Sequence, residues 1–250
     1  MTTEDLPVAQ PEWAYFLDLD GTLLDIAPDP NSACIDQELI QLLDRLYRIT
    51  DGAVALVSGR ALSDLDRRLI PLKLPWSGQH GLERRNAKGI ARLHEGAPHA
   101  KESIRGALLP LLGRHPALGL EDKGLTLAVH YRQAMHLEDI VLDTMARLVA
   151  ETEGAMVLQK GKCVAEAKPA NIHKGTAIEE YMAETPFKGR RPVFIGDDLN
   201  DEPGFLVVNR TNGISIKVGA EESCACFRLP GVAAVRAWLA GALREPVWPR

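Results

Sequence analysis

Two acids spaced two apart interrupt an apolar run in Tyr15-Phe16-Leu17-Asp18-Leu19-Asp20-Gly21-Thr22-Leu23. The run reads as a buried strand, and residues i and i+2 of a strand point to the same side, so Asp18 and Asp20 begin on one face. A buried strand gains nothing from unpaired carboxylates, whose desolvation is costly. Their use is a cation held between them or a reaction that needs both. A second acidic stretch, Asp197-Asp198-Leu199-Asn200-Asp201-Glu202, closes another apolar strand, Arg191-Pro192-Val193-Phe194-Ile195-Gly196. Ligands of open parallel α/β sheets bind at the carboxyl ends of the strands. If both strands are central, Asp18, Asp20, Asp197, Asp198 and Asp201 converge there. An all-oxygen cluster of this kind suits Mg2+, which takes a few carboxylates, waters and a substrate phosphate. Asp198 either ligates directly or supports a ligand. Alternatively, the second stretch is a solvated loop whose aspartate caps a helix.

The chemistry that uses such a set is phosphoryl transfer. Asp18 can attack phosphorus as a nucleophile and form an aspartyl-phosphate, while Asp20 protonates the leaving alcohol and later deprotonates water. Gly21-Thr22 turns the backbone away, with Thr22 cradling the phosphate. A cation must share the load, and Lys174, which opens a helix in Asn171-Ile172-His173-Lys174-Gly175, is the candidate. Ser58-Gly59-Arg60 stands between the strand Ala53 to Val57 and a helix starting near Ala61 (Leu62, Leu65 and Leu69 inward), so a hydroxyl and free N–H groups face one point. Ser58 and Gly59 either contact the phosphate or serve the helix end.

These residues need a parallel sheet to bring them together, and the strand and helix patterns alternate accordingly. Asp36 caps a helix with Leu39, Ile40, Leu43 and Leu46 inward, after a Pro-rich loop running from Leu24 to Pro30. Pro75 to Glu83 reads as a third strand, Gly213 to Val218 as a later one, Phe205 to Val208 as helix, and Val232 to Leu243 as a closing helix. Between the halves the order changes to helix (Pro98 to Leu112), strand (Leu118 to Lys123), strand (Leu125 to Tyr131), helix (His136 to Glu151, with Ile140, Val141, Met145 and Leu148 inward) and two strands around Gly161. This predicts a Rossmann-like parallel-sheet core, residues 1–85 and 168–250, with an inserted α+β cap over 86–167 and hinges at Glu83–Arg92 and Lys168–Asn171.

Composition limits the function classes. The 250 residues are 46% hydrophobic and 25% charged with a net charge of −5, which opposes nucleic acid as a partner. Cys34, Cys163, Cys224 and Cys226 form no disulfide framework, and Cys224-Ala225-Cys226 lacks zinc-ligand spacing. Met1 to Pro11 has no signal-peptide pattern, and no run approaches the ~18 apolar residues of a span. A cytoplasmic, monomeric protein free of membrane is expected.

Asp18-x-Asp20-Gly21-Thr22-Leu23, Ser58-Gly59-Arg60, Lys174-Gly175 and Gly196-Asp197-Asp198-x-x-Asp201-Glu202 resemble the four motifs of the haloacid dehalogenase superfamily. Asp20 places the chain on the phosphatase side of it. More narrowly, Ser77 to Arg85, Lys123 to Arg132, Gly161 to Pro169 and Pro192 to Asp198 are similar to bacterial trehalose-6-phosphate phosphatases. That resemblance implies hydrolysis of a small-molecule sugar phosphate, the last step of trehalose biosynthesis, with a functional link to the synthase. It implies that Glu121, Lys123 and Glu166 of the cap hold the sugar hydroxyls, with His80 and Gly81 also on the sugar, and that a closing lid excludes water. Asn200 departs from the Thr expected there and resembles other sugar-phosphate phosphatases of the superfamily. One of those is the alternative reading; a phosphotransferase or mutase shares the aspartyl-phosphate, and a non-catalytic descendant would need a lost acid.

Overall fold

The computed structural model describes residues 6–26, 35–68, 72–161 and 163–243, the side chain of residue 68 excepted. Residues 27–30 of the expected Pro-rich loop, Cys34, the inward Leu69 and Lys162 lie outside the described residues. The chain packs as two units, Met1–Leu93 with Ile172–Arg250, and His94–Asn171.

The first unit is an eight-stranded sheet in the order β12-β11-β10-β1-β2-β3-β4-β5. Its strands are β1 (Ala14–Leu17), β2 (Val54–Val57), β3 (Trp76–Gly78), β4 (Glu83–Arg85), β5 (Ala91–Leu93), β10 (Pro192–Gly196), β11 (Ile214–Val218) and β12 (Phe227–Leu229). Every pair from β12 through β3 is parallel, and the β3–β4 and β4–β5 pairs are antiparallel. The order reverses at β1, which lies between β10 and β2, so the crevice at the carboxyl end of β1 is the natural ligand position.

The residues of β1 alternate between two cores. Tyr15 and Leu17 join Leu39, Leu43 and Leu46 of α1 (Gln37–Ile49) and Val235 and Leu239 of α7 (Val232–Gly241). Phe16 joins Ile178 and Tyr181 of α5 (Lys174–Met182) and Phe205 of α6 (Glu202–Arg210) on the opposite face. A strand buried on both faces is apolar at every position, which is why this one shows no polar alternation. Asp36 caps α1 by accepting the Leu39 N–H at 2.7 Å. A short helix, α2 (Leu62–Arg68), follows β2.

The β4–β5 hairpin extends the sheet through residues 86–93, which the sequence pattern assigns to the cap and its hinge. Strands of three residues are too short for periodicity to reveal. The second unit has the expected order: α3 (Pro98–Arg114), β6 (Gly119–Asp122), β7 (Leu127–His130), α4 (Glu138–Ala150), β8 (Met156–Gly161) and β9 (Val164–Pro169). Its antiparallel sheet runs β6-β7-β9-β8. Leu127, Val129, Ala165 and Ala167 on one face pack against Ile104, Leu108 and Leu111 of α3 and Val141, Met145 and Leu148 of α4. Ile140, expected inward, is exposed, because the stripe through Val141, Met145 and Leu148 already fills the contact.

Candidate active site

Asp18 sits one residue past β1, where its N–H still donates to Ile195 O at 3.0 Å in the parallel ladder, and it is only 5% exposed. The chain then folds over the Leu19 carbonyl, which accepts from the N–H groups of Leu23 and Leu24 at 2.9 Å each. Gly21 has φ +81, and a Cβ there would lie 2.0 Å from Asp197 Oδ2. Glycine is therefore required both by the turn and by the approach of the second acidic strand end. Thr22, fully buried, directs Oγ1 toward Asp197 Oδ1 at 3.4 Å.

Asp201 is completely buried in the turn after β10, where its Oδ2 accepts the N–H groups of Asp197 and Asp198 at 3.0 Å each. This holds the acidic loop in one shape. Lys174, at the start of α5 and 3% exposed, donates from Nζ to Asp18 Oδ1 at 2.7 Å and Asp201 Oδ1 at 2.6 Å. The helix starts there because His173 caps it, exchanging hydrogen bonds with Thr176. Oxygens of Asp18, Asp197 and Asp201 all lie within 4.8 Å of one another.

Three carboxylates thus face one ammonium. Burial pushes the Asp18 carboxyl well above the ordinary range; Lys174 pulls it back, and the neighbouring Asp201 and Asp197 charges raise it further. Asp197 is also raised, first by burial and then by Asp201. Burial opposes the Lys174 charge, but Asp18 and Asp201 overcome it and hold the ammonium above its usual value. The excess of buried negative charge, all on oxygen, fits a hard divalent cation.

Of the five acids named as metal ligands from sequence, these three come together and two do not. The Asp20 carboxylate is taken by Arg60, with Nε 2.6 Å from Oδ2 and Nη2 2.7 Å from Oδ1. Asp198 is exposed and ties the loop, accepting from Leu199 N at 2.7 Å and Asn200 Nδ2 at 3.0 Å. Ser58 is buried, and its Oγ accepts the Arg60 N–H at 3.1 Å, while Glu83 Oε2 rather than Ser58 receives Leu62 N at the start of α2, at 2.6 Å. Gly59 lets His80 approach, since a Cβ would meet the ring at 2.7 Å. The His80 N–H donates to Ser58 O at 3.0 Å, and a Cβ on Gly81 would lie 2.9 Å from His173 O. His80 and Gly81 therefore tie the Ser58 loop to the start of α5.

In the second unit, Glu121, Lys123 and Glu166 also meet. Lys123 Nζ lies 3.6 Å from Glu166 Oε1 and 3.9 Å from Glu121 Oε2. Three site neighbours are absent from the sequence reading. Lys217, buried at the end of β11, donates to Asp197 O and pairs with Glu221 at 3.3 Å. A lysine closing the apolar strand Ile214-Ser215-Ile216-Lys217-Val218 was the available signal. Thr126 and His130 contact Glu166 and Glu121; nothing in spacing marks them.

Fold and centre together define the class, an α/β protein of haloacid dehalogenase type with an inserted cap. Within that class the chain belongs to the trehalose-phosphatase family, whose description matches residues 16–228. The trehalose-6-phosphate phosphatase of Escherichia coli K12 is 42% identical over 94% of this chain and 88% of its own length. The trehalose-phosphate phosphatase of Mycobacterium tuberculosis H37Rv is 32% identical over 93% of this chain and 62% of its own. The C-terminal domain of Candida albicans trehalose-6-phosphate phosphatase has the same fold, with a TM-score of 0.78 at 20% identity, covering 94% of this chain and 93% of that one. No helix among the described residues is long and apolar enough to cross a membrane.

Proposed function

We propose that this chain hydrolyses trehalose 6-phosphate to trehalose and phosphate, with Asp18 as nucleophile. The observation that carries the reading is a complete Asp18–Lys174–Asp201 centre in a chain 42% identical to a trehalose-6-phosphate phosphatase. Asp18 attacks phosphorus through a carboxylate oxygen, and Lys174 holds that carboxylate in place and offsets charge on the transferring group. Asp20 donates a proton to the leaving sugar oxygen and then takes one from the water that opens the aspartyl-phosphate. The buried hydroxyls of Ser58 and Thr22 and the backbone at Gly59 are assigned to the phosphoryl oxygens. Asp18, Asp197 and Asp201 would hold Mg2+, with the Asp20 backbone carbonyl as a further ligand and Asp198 keeping the loop in shape. A bound Mg2+ supplies neutralisation of the phosphoryl charge.

Residues 1–85 and 168–250 are assigned the chemistry. The insert, through Glu121, Lys123 and Glu166, is assigned recognition of the sugar, to which His80 and Gly81 also contribute. A monomer working downstream of the synthase in the cytoplasm completes the proposal; the free thiols of Cys163, Cys224 and Cys226 support a reducing setting.

Asn200 favours a second reading, another sugar phosphate as substrate. Its amide, however, is engaged by Asp198 at the exposed side of the loop, a role in loop shape rather than in recognition. A panel of trehalose 6-phosphate, glucose 6-phosphate, sucrose phosphate and mannosyl-phosphoglycerate, with and without Mg2+, tests both. Turnover is expected mainly with the first and only with the metal. Equal rates on all four would overturn the substrate assignment.

A further inference from the structure

The helix-free face of the cap sheet is organised by β7. Leu127 and Val129 enter the core under α3 and α4, so Thr126, Ala128 and His130 face the other way. Ala128 stands opposite Glu121 on β6 and Glu166 on β9. The two carboxylates therefore flank β7 on that face, and each is gripped by one oxygen, from the residue just before β7 and from its last residue. The buried Thr126 donates from Oγ1 to Glu166 Oε1 at 2.5 Å, and His130 Nε2 lies 2.8 Å from Glu121 Oε2. Glu166 Oε2 and Glu121 Oε1 have no hydrogen bond among the described residues.

Between these two half-engaged carboxylates stands the Lys123 ammonium. An acceptor, a donor and a second acceptor in a row complement neighbouring hydroxyls, each of which both donates and accepts. A glutamate has three rotatable bonds and loses much rotamer freedom when held. If it is held before the ligand arrives, that cost does not fall on binding. Thr126 suits the task because a β-branched side chain is stiff at χ1.

We propose that Thr126 and His130 are positioning residues for the sugar: they fix Glu166 and Glu121 so that the unengaged oxygens face its hydroxyls. The inference rests on the assignment of Glu121, Lys123 and Glu166 to the sugar. It makes selectivity, rather than phosphoryl transfer, depend on β7.

The test uses Thr126→Val, Thr126→Ser and His130→Leu in the full chain, assayed on trehalose 6-phosphate and on p-nitrophenyl phosphate, which has no sugar hydroxyls. Loss of a hydrogen bond to a charged group predicts a KM for trehalose 6-phosphate raised about tenfold in Thr126→Val. His130→Leu, at a half-exposed pair, raises it about threefold. In both, kcat/KM for p-nitrophenyl phosphate stays within about twofold of wild type, and Thr126→Ser restores the sugar KM, as retention of the donor requires. An unchanged sugar KM in Thr126→Val overturns the inference. So does equal loss on both substrates, which signals a structural role. If the wild-type protein itself does not prefer trehalose 6-phosphate to glucose 6-phosphate, the substrate assignment fails instead.

Discussion

Arg60 grips Asp20 through both carboxylate oxygens, Nε at 2.6 Å from Oδ2 and Nη2 at 2.7 Å from Oδ1, while its Nη1 reaches Asp64 at 2.9 Å. A planar fork matched to a carboxylate fixes orientation as well as charge. The residue proposed for acid–base duty is thus aimed by the loop after β2, and Asp64 in turn aims Arg60. Lysine cannot reproduce a two-point grip. Arg60→Lys is expected to lower kcat about 10- to 100-fold, part of the range general acid–base catalysis supplies, with little change in KM. Rapid-quench measurement should show slower formation of the phosphoenzyme. A wild-type burst in Arg60→Lys would show that Asp20 is aimed by other groups.

That grip also shows where sequence reasoning ends. Asp18, Lys174, Asp197 and Asp201 were legible because buried strand ends and helix starts have no other use for those charges. The parallel core was legible from apolar runs that lack polar alternation, and the cap from its changed element order. The partner of Asp20 was not, because a contact across 40 residues leaves no periodic trace. Lys217 was missed for the same reason. The meeting of Glu121 with Glu166 depends on the register of three antiparallel strands, which the turn residues around Gly124 and Gly161 do not specify.

Asp18→Asn and Lys174→Met separate chemistry from stability. The amide keeps the shape of Asp18 but cannot attack phosphorus, so turnover should fall on the order of 10⁴-fold or more, as for other lost nucleophiles. Folding should be near normal, since Lys174 retains Asp201 and one buried charge has gone. Lys174→Met strands two buried carboxylates and should cost about 3–5 kcal/mol of stability as well as activity. Urea unfolding followed by circular dichroism, beside steady-state rates, reads both. Equal stability loss in the two variants would mean that the ion pairs do not hold the centre.

The charge imbalance sets a pH dependence. Burial and the neighbouring acids raise the folded pKa of Asp18 and Asp197 above the unfolded value. From the ordinary aspartate range near about 4 upward, the native state then binds more protons than the unfolded one, so metal-free stability falls as pH rises through that window. Lys174, also raised, stays protonated throughout and leaves the slope unchanged. Mg2+ needs deprotonated ligands and offsets their repulsion. Its stabilisation, about 2.7 kcal/mol at a hundredfold excess over Kd, should therefore grow with pH. Thermal melts across pH with EDTA or Mg2+ measure this. An Mg2+ effect independent of pH, or undiminished in Asp197→Ala, would place the ion elsewhere.

Gly21 joins the two acidic strand ends by absence of a side chain. At φ +81 a non-glycine residue is strained, at a cost of about 1–3 kcal/mol. A Cβ there would also stand 2.0 Å from Asp197 Oδ2 and 2.8 Å from Oδ1, against a side chain fixed on the far side by the loop that Asp201 ties. Gly21→Ala cannot relieve the clash by moving Asp197 without drawing it from Asp18 and Asp201. The variant should stay folded, since the strain is local, yet bind Mg2+ at least about tenfold more weakly, a loss of ~1.4 kcal/mol, with kcat falling in step. Calorimetric titration of Mg2+ together with rates at saturating metal separates the two effects. If excess Mg2+ fully restores kcat, the alanine has disturbed only the metal ligands. If it does not, the turn itself is needed to hold Asp18 and Thr22 in place for the attack.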